Sequence, residues 1–507
     1  MSDAPASDGM FEQDPERPAL IDAATGTTRT YGDLTDRAGR LAAALDSKGL
    51  DPVADTGSRA VAVMLPNCIE FLEVAAAASR AEASFLPVNW HLKRDELAWI
   101  LADSGARVVV AHPSLREHVD AAVADTPGTA VLWAGSEYED AIAGHEPADR
   151  PGWSTPSFLF YTSGTTGRPK GVVHSGLDPN RMHAAQLGLA HLWGFGPTDV
   201  HLLAGPAYHA GPLGYALNTL FTGGATAVLP AWDPKGALAA IDRHRVTTSF
   251  LTPAHFVRLL ELPEAERARH DLSSLRLVIH AGAPCPVVVK ERILDWLGPL
   301  GCEVWELYGA SEGGATRASP DEWRARPGTV GRPWPGTEIR ILDAEGAAVA
   351  AGGDGVIHIA PPGGGATFHY HRDEAKTDAA WRDGAFTVGD VGHLDDDGYL
   401  FITDRVSDMV LVDGVNVYPR EIEEVLFAHP AVVDCAVVGV PDERHGEQLV
   451  AVVERRGDGL PVDALAAFAR EHLADYKVPR RWELVGELPR DPNGKVLKRL
   501  LKERLSG

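Results

Sequence analysis

The sequence predicts an α/β protein of at least two domains. A large N-terminal region built on parallel sheets leads into a small β-subdomain, and a small α+β domain follows. Three observations carry this. At 507 residues the chain exceeds what one hydrophobic core of ordinary size organises. Short, continuously apolar segments alternate with helix-compatible ones, the pattern of parallel strands covered on both faces. Past Gly331 the pattern changes to short alternating strands, and past Asp404 to a last block of about a hundred residues, enough for a small α+β domain.

The elements follow in order. Residues 1–17 read as a terminal tail, and 19–22 with 28–31 as a short hairpin. An Ala/Leu-rich helix over 38–45 ends near Gly49. Strands are predicted at 61–65, 85–88 and 108–111, with helices at 69–78 and 96–104 between them. Phe158, Leu159 and Phe160 make a buried strand. Beyond it come a helix over 183–193, a strand over 200–203, a helix over 217–221 and a strand over 225–229. A helix over 234–244 precedes strands at 249–251, 275–279 and 302–307. The β-subdomain holds strands at 338–341 and 355–359 and continues through 386–392 and 397–400, with Asp395, Asp396 and Asp397 as a hairpin turn before Gly398. The last block reads strand 409–412, helix 419–426, strands 432–438 and 449–453, helix 462–472 and a basic tail.

Composition narrows the function. A net charge of -24 argues against nucleic acid or an anionic membrane surface as the main partner, so any phosphate site is a local basic pocket. Four scattered cysteines without a CxxC pair suggest neither a zinc site nor a disulfide framework. The N-terminus lacks the basic and apolar regions of a signal peptide, and charge breaks every apolar stretch before membrane-spanning length. A cytoplasmic protein without a membrane span is expected.

One stretch carries the strongest chemical signal. Tyr161-Thr162-Ser163-Gly164-Thr165-Thr166-Gly167-Arg168-Pro169-Lys170-Gly171-Val172 follows a buried strand and combines glycines, hydroxyls and one lysine. Glycines let successive N–H groups form an anion nest, hydroxyls add donors, and lysine adds a compact charge. That describes a polyphosphate cradle, although a Gly/Thr stretch taken alone also describes a surface loop. It is not a Walker A loop, because Arg168 follows Gly167 and Gly171 follows Lys170. Four other stretches rich in Gly, Pro or hydroxyls stand at strand ends or turns: Pro206-Ala207-Tyr208-His209, Ala281-Gly282-Ala283-Pro284, Tyr308-Gly309-Ala310-Ser311-Glu312 and Pro492-Asn493-Gly494-Lys495. Ligands of open α/β sheets bind where strands end.

Together these residues resemble the adenylate-forming superfamily of acyl-CoA synthetases, firefly luciferase and the adenylation domains of peptide synthetases, from Tyr31 to Lys495. The resemblance implies that ATP activates a carboxylic acid to an acyl-adenylate with release of pyrophosphate, and that the acyl group passes to the thiol of coenzyme A. It implies an adenylation domain over 1–403, a hinge over 404–408 and a mobile C-terminal domain over 409–507. Thr162, Ser163, Gly164, Thr165, Thr166, Gly167 and Lys170 would hold phosphates, and Ala281, Gly282, Ala283 and Pro284 the adenine. Tyr308, with Gly309, would stack on the adenine, and the Ser311 hydroxyl would contact the α-phosphate. Glu312 would hold Mg²⁺, a hard cation that takes a carboxylate, phosphate oxygens and water. Asp390 would accept both ribose hydroxyls, which suits a two-oxygen acceptor, and Arg405 would reach ribose or phosphate. Lys495 would bridge the acid and the α-phosphate, His209 would position the acid, and Gly414 would line the coenzyme A path.

The chain departs from the family pattern at Ala281, where many relatives have glycine, at Val388 in place of threonine, at Ser407 in the hinge and at Asp413 beside Gly414. Asp413 keeps a second reading open, in which the adenylate goes to a carrier-protein thiol, an amine or another small nucleophile. A third, a non-catalytic nucleotide-binding relative, predicts damaged catalytic positions, and Lys170, Glu312, Asp390, Arg405 and Lys495 are all present. An uncharged aliphatic or aromatic acid is expected. Cys285, flanked by Pro284 and Pro286 without a base, reads as packing, and His369 with His371 lacks a carboxylate cage for a metal.

Overall fold

A computed structural model describes residues 9–50, 59–148, 156–162, 169–174, 179–412, 415–442, 446–457, 461–491 and 494–506. The chain forms two compact units: residues 1–251 with 264–278 and 366–379, and residues 252–263 with 279–365 and 380–507.

The first unit carries a seven-stranded sheet in the order Phe368–Tyr370, Lys170–His174, Ser157–Thr162, Ser84–Pro87, Ala60–Met64, Val108–Ala111, Ala130–Trp133. From Ser157–Thr162 onward the pairs are parallel. Every residue of Ala60–Met64 is buried, because helices cover both faces, and that is why its sequence is continuously apolar. At the other edge the pairing is antiparallel. Lys170–His174 returns antiparallel to Ser157–Thr162 and pairs in turn with Phe368–Tyr370. A second sheet of this unit places Thr28–Thr30, Pro18–Asp22, Ala225–Val228, Val200–Leu203 and Thr248–Leu251 side by side. The hairpin read at 19–31 is its edge.

The helix Tyr31–Ser47 starts at a capping box. Thr30 accepts from the Asp33 N–H, and the Asp33 carboxylate accepts from the Thr30 N–H. Its apolar face packs with the alanine-rich helix Ile69–Arg80. The buried Glu73 is satisfied there by Arg37 at 2.7 Å and by the Tyr138 hydroxyl at 3.0 Å.

The second unit begins with an antiparallel run: Trp381–Arg382, Ala385–Phe386, Gly355–Ala360, Asp390–Leu394, Leu400–Arg405, Thr329–Pro333, Gly313–Ala318 and Glu303–Ala310, with Glu338–Leu342 beside Gly355–Ala360. Between Leu394 and Leu400, Asp395 and Tyr399 pair across the expected hairpin turn. The C-terminal segment adds a five-stranded sheet in which Val432–Asp442 pairs with Gly446–Arg455. Both strands are buried along most of their length, since one face packs on Ile422, Leu426 and Leu465 and the other on Leu501 and Leu505.

Candidate active site

In the first unit, Thr162 and Lys170 are register partners, so the intervening stretch is closed at its base by an antiparallel pair. Ser163, Gly164, Thr165, Thr166 and Gly167 lie outside the described residues. The edges of the loop are anchored. The Tyr161 hydroxyl donates to Asp103 at 2.5 Å, and burial keeps that phenol neutral. The Lys170 ammonium donates to the Tyr370 hydroxyl at 2.7 Å and lies 4.2 Å from the centre of that ring.

His209 stands at the N-terminus of the helix Ala210–Phe221, its ring 4.7 Å from that of Tyr208. The loop before it is held by a residue that no motif of the sequence marks. The buried Asn67 donates to the carbonyls of Gly205 at 2.9 Å and Leu229 at 3.2 Å and accepts the Ala207 N–H at 2.8 Å. The signal available was a polar residue with both donors and an acceptor between two strongly apolar elements. The helix also starts earlier than expected, at Ala210. Gly211 sits on the ring of Phe250, where an added Cβ would come within 2.6 Å.

In the second unit, the strand ending at His280 leads into the loop 281–284, in which Gly282 takes a positive φ of 89°. The strand Glu303–Ala310 runs further than expected. Tyr308 and Gly309 belong to it, and Ser311 with Glu312 form the connection to the returning strand Gly313–Ala318. Gly309 is required there, because a Cβ would meet the Gly313 carbonyl and Gly314 at 2.9 Å. The Glu312 side chain at this turn is buried. A single buried carboxylate suits a magnesium ion that arrives with a phosphate chain, since that ion keeps water and takes few protein ligands.

Three of the expected nucleotide residues meet directly. Asp390 and Arg405 are register partners on neighbouring strands. Arg405 Nε donates to Asp390 Oδ1 at 2.8 Å, and the Tyr308 hydroxyl donates to Asp390 Oδ2 at 2.9 Å. The strand bearing Asp390 is entered through Gly389, at a φ of 82°, whose N–H the Thr387 hydroxyl accepts at 3.1 Å.

Lys495 joins the same group. It ends a tight turn in which its N–H donates to Asp491 Oδ1 at 2.9 Å and its carbonyl accepts the Asp491 N–H at 2.8 Å. Gly494 in this turn has a φ of 84°, and an added Cβ would lie 2.5 Å from that of Ala254. Burial of the surroundings and the charge of Arg405 hold the Lys495 ammonium below the usual lysine range, against the pull of Asp491, Asp408 and Asp390. The residue as a whole remains exposed. Nearer the start of this segment, Glu454 accepts from Arg258 at 3.0 Å and from the Leu488 N–H at 3.3 Å. Gly414 and Asp413 lie outside the described residues. Cys285 is buried and its thiol is pushed well up by that burial, as a packing residue requires.

Comparison with known proteins identifies the family. The family described as AMP-binding enzyme matches residues 9–368, and the AMP-binding enzyme C-terminal domain matches residues 421–495. A feruloyl-CoA synthase of Amycolatopsis sp is 36% identical over 487 residues, covering 94% of each chain. The fatty acid–[acyl-carrier-protein] ligase ScoC of Streptomyces coeruleorubidus is 33% identical over 513 residues, covering 98% of this chain and 95% of the relative. The structure of ATP-bound MatB from Rhodopseudomonas palustris superposes with a TM-score of 0.86 at 32% identity, covering 98% of both chains. With matches of this extent, the chain belongs to the AMP-binding enzyme family.

Proposed function

We propose that this chain is an AMP-forming acid–thiol ligase that activates a carboxylic acid with ATP and transfers the acyl group to coenzyme A. The observation that carries the reading is the joining of Tyr308, Asp390 and Arg405 by hydrogen bonds, with Lys495 brought to the same charges by its glycine turn. In the first step a carboxylate oxygen attacks the α-phosphorus, and the bond to the departing pyrophosphate breaks. Lys495 holds the carboxylate and the α-phosphate oxygens together and offsets the charge that develops on them. Ser311 donates to the same phosphate, Asp390 and Arg405 hold the ribose, and Tyr308 with the loop 281–284 holds the adenine. Thr162, Lys170 and the loop between them take the phosphates, and His209 orients the acid. Glu312 would hold Mg²⁺, which neutralises phosphate charge when bound. In the second step the thiol sulfur attacks the acyl carbon, AMP leaves and the thiol proton goes to solvent, a reaction that needs positioning more than force.

The adenylation domain spans 1–403 and the C-terminal domain 409–507, with the hinge at 404–408 turning the latter between steps. The substrate is an uncharged aliphatic or aromatic acid, in keeping with relatives named for ferulate and for fatty acids. Among the described residues no helix is long and apolar enough to cross a membrane, and we assign the enzyme to the cytoplasm. The second reading, a carrier-protein thiol or an amine as acceptor, is favoured by the similarity to an acyl-carrier-protein ligase. Pyrophosphate release across a panel of carboxylic acids with Mg²⁺-ATP, with and without coenzyme A, tests both. A thioester product establishes the ligase, release without a thioester moves the acceptor elsewhere, and no release with any acid sinks the proposal.

A further inference from the structure

Three ionisable side chains unused by this mechanism are sealed together beneath the nucleotide-binding segments. His280 and Lys290 are fully buried and Glu306 is nearly so. Lys290 donates to His280 Nε2, and its ammonium is 3.6 Å from Glu306 Oε2, which is itself 3.3 Å from His280 Nε2. The edge of the Phe256 ring packs on His280 with centroids 5.0 Å apart, and Trp323 lies 5.8 Å from the ammonium. Arg420 and Glu424 lie close enough to interact with Glu306 by charge.

Each member comes from a different element, and each stands next to a segment assigned to the nucleotide. His280 immediately precedes Ala281, and Glu306 is on the strand that carries Tyr308 and leads to Glu312. Lys290 is in the first turn of the helix Val287–Leu297 that follows Pro284, its N–H bonded to the Pro286 carbonyl at 3.0 Å. Stability alone does not account for three such residues, since a packed apolar trio is commonly as stable as a buried ion pair. Lys290, which donates to His280 Nε2 and pairs in charge with Glu306 Oε2, does what apolar contacts cannot: it ties the two strand ends to one point. Charge balance fixes the protonation. One carboxylate against two basic groups is neutral with Lys290 as ammonium and His280 neutral, its Nε2 accepting. Burial pushes both basic groups down. The remaining His280 proton then sits on Nδ1, which is buried with no hydrogen-bond partner among the described residues. Buried polar atoms are rarely left without a partner, so this one and Glu306 Oε2 call for a reason.

We propose that the His280–Lys290–Glu306 cluster is a positioning device for ATP, locking the strand end that bears the loop 281–284 to the strand that bears Tyr308 and Glu312. The proposal rests on the assignment of those segments to the nucleotide, and not on the identity of the acid or acceptor. The test uses the full chain with Lys290→Met, Glu306→Gln and the double substitution. ATP binding is measured directly by titration without acid, beside KM for ATP and for the acid and the melting temperature. A misplacement of the order of an ångström predicts that each single change weakens ATP binding by about tenfold or more, with KM for the acid little altered. The double change leaves no unpaired charge, so it recovers the melting temperature, but not ATP affinity. If it recovers both, or if melting falls while ATP affinity stays at the wild-type value, the cluster serves stability alone and the proposal is wrong. If the single variants do not fold, the double variant decides. Wild-type protein that binds ATP but turns over no acid would sink the ligase reading and leave this test intact.

Discussion

Asp390→Asn removes one charge from the centre of the site while keeping its shape. A carboxylate offers about four acceptor positions. Two are taken, by the Tyr308 hydroxyl at 2.9 Å and Arg405 Nε at 2.8 Å, which leaves two, the number that the vicinal hydroxyls of ribose require. In the variant the amide oxygen must face Arg405, which can only donate, so the amide nitrogen turns toward Tyr308, whose hydroxyl can rotate to accept. The packing survives, and the Arg405 side chain, 44% exposed, rehydrates in part, so the stability loss stays near 1 kcal/mol. Each ribose hydroxyl, however, exchanges a charge-assisted bond for a neutral one, at about 1 kcal/mol apiece. Two such losses amount to about 2 kcal/mol, or about 30-fold in kcat/KM for ATP. The assay compares ATP with its 2′,3′-dideoxy analogue in both proteins. Wild-type enzyme discriminates against the analogue, and Asp390→Asn discriminates by about 30-fold less. Equal discrimination by the two proteins would show that Asp390 does not hold the ribose.

Lys495→Met should lower carboxylate-dependent pyrophosphate release by about 10²–10³-fold, yet leave transfer from a preformed acyl-adenylate to the thiol roughly unchanged. Because the Lys495 ammonium is held below the usual lysine range, wild-type adenylation falls as pH rises through that lowered value, and the variant shows no such limb. Gly494→Ala places a side chain at a φ of 84° and 2.5 Å from the Ala254 Cβ; the strain of about 1–3 kcal/mol displaces the turn, so adenylation drops with Lys495 still present, and an unchanged rate would refute the turn's role. His201 and His255 are both lowered by burial to about 3, and His255 Nδ1 accepts the Thr252 N–H at 3.1 Å. The unfolded chain binds protons near pH 6.5 that these folded groups refuse, so stability is fully present above that value and falls toward pH 3 by about 1.4 kcal/mol per pH unit for each histidine. Urea midpoints between pH 7 and pH 4 check this, and a flat profile for the wild type contradicts it.

Elements whose burial is uniform along their length were legible from the chain. Val108–Ala111, Val200–Leu203, Pro234–His244 and Val462–His472 occupy the residues expected of them, because a strand covered on both faces or a helix with one apolar stripe writes its environment into its own composition. What escaped depends on distant partners. Gly313–Ala318 reads Gly-Gly-Ala-Thr-Arg-Ala and has no strand pattern; it is a strand because Glu303–Ala310 pairs on one side and Thr329–Pro333 on the other. Lys170–His174 was absorbed into the glycine-rich stretch, although its pairing with Phe368–Tyr370 reaches across about two hundred residues. The early start of Ala210–Phe221 was hidden by Gly211, Pro212 and Gly214, poor helix formers that contact with Phe250 overrides. Of the residues expected at the site, Tyr308, Asp390 and Arg405 do meet. Asn67 and His280 were not among those expected, since their importance lies in bonds to segments that no local pattern connects to them.

The charge of the site explains how an acidic protein can handle a polyphosphate. Among the described residues of the second unit, the group around Lys495 sets two cations, Lys495 and Arg405, against Asp390, Asp408 and Asp491. Glu312 adds another carboxylate close enough to act on Tyr308. This is not a basic patch. It is an ordered set of opposite charges in which Arg405 is already committed to Asp390. Such a set does little to attract a bare polyphosphate over distance, but it discriminates between positions within a few ångströms, where Lys495 is the cation that its turn leaves open to solvent. On the proposed reading, recognition of the ribose through paired acceptors and catalysis at the α-phosphate through one aimed ammonium are therefore separable demands. The first would fall to strands whose register fixes Asp390 against Arg405, the second to a turn in which Gly494 takes a positive φ.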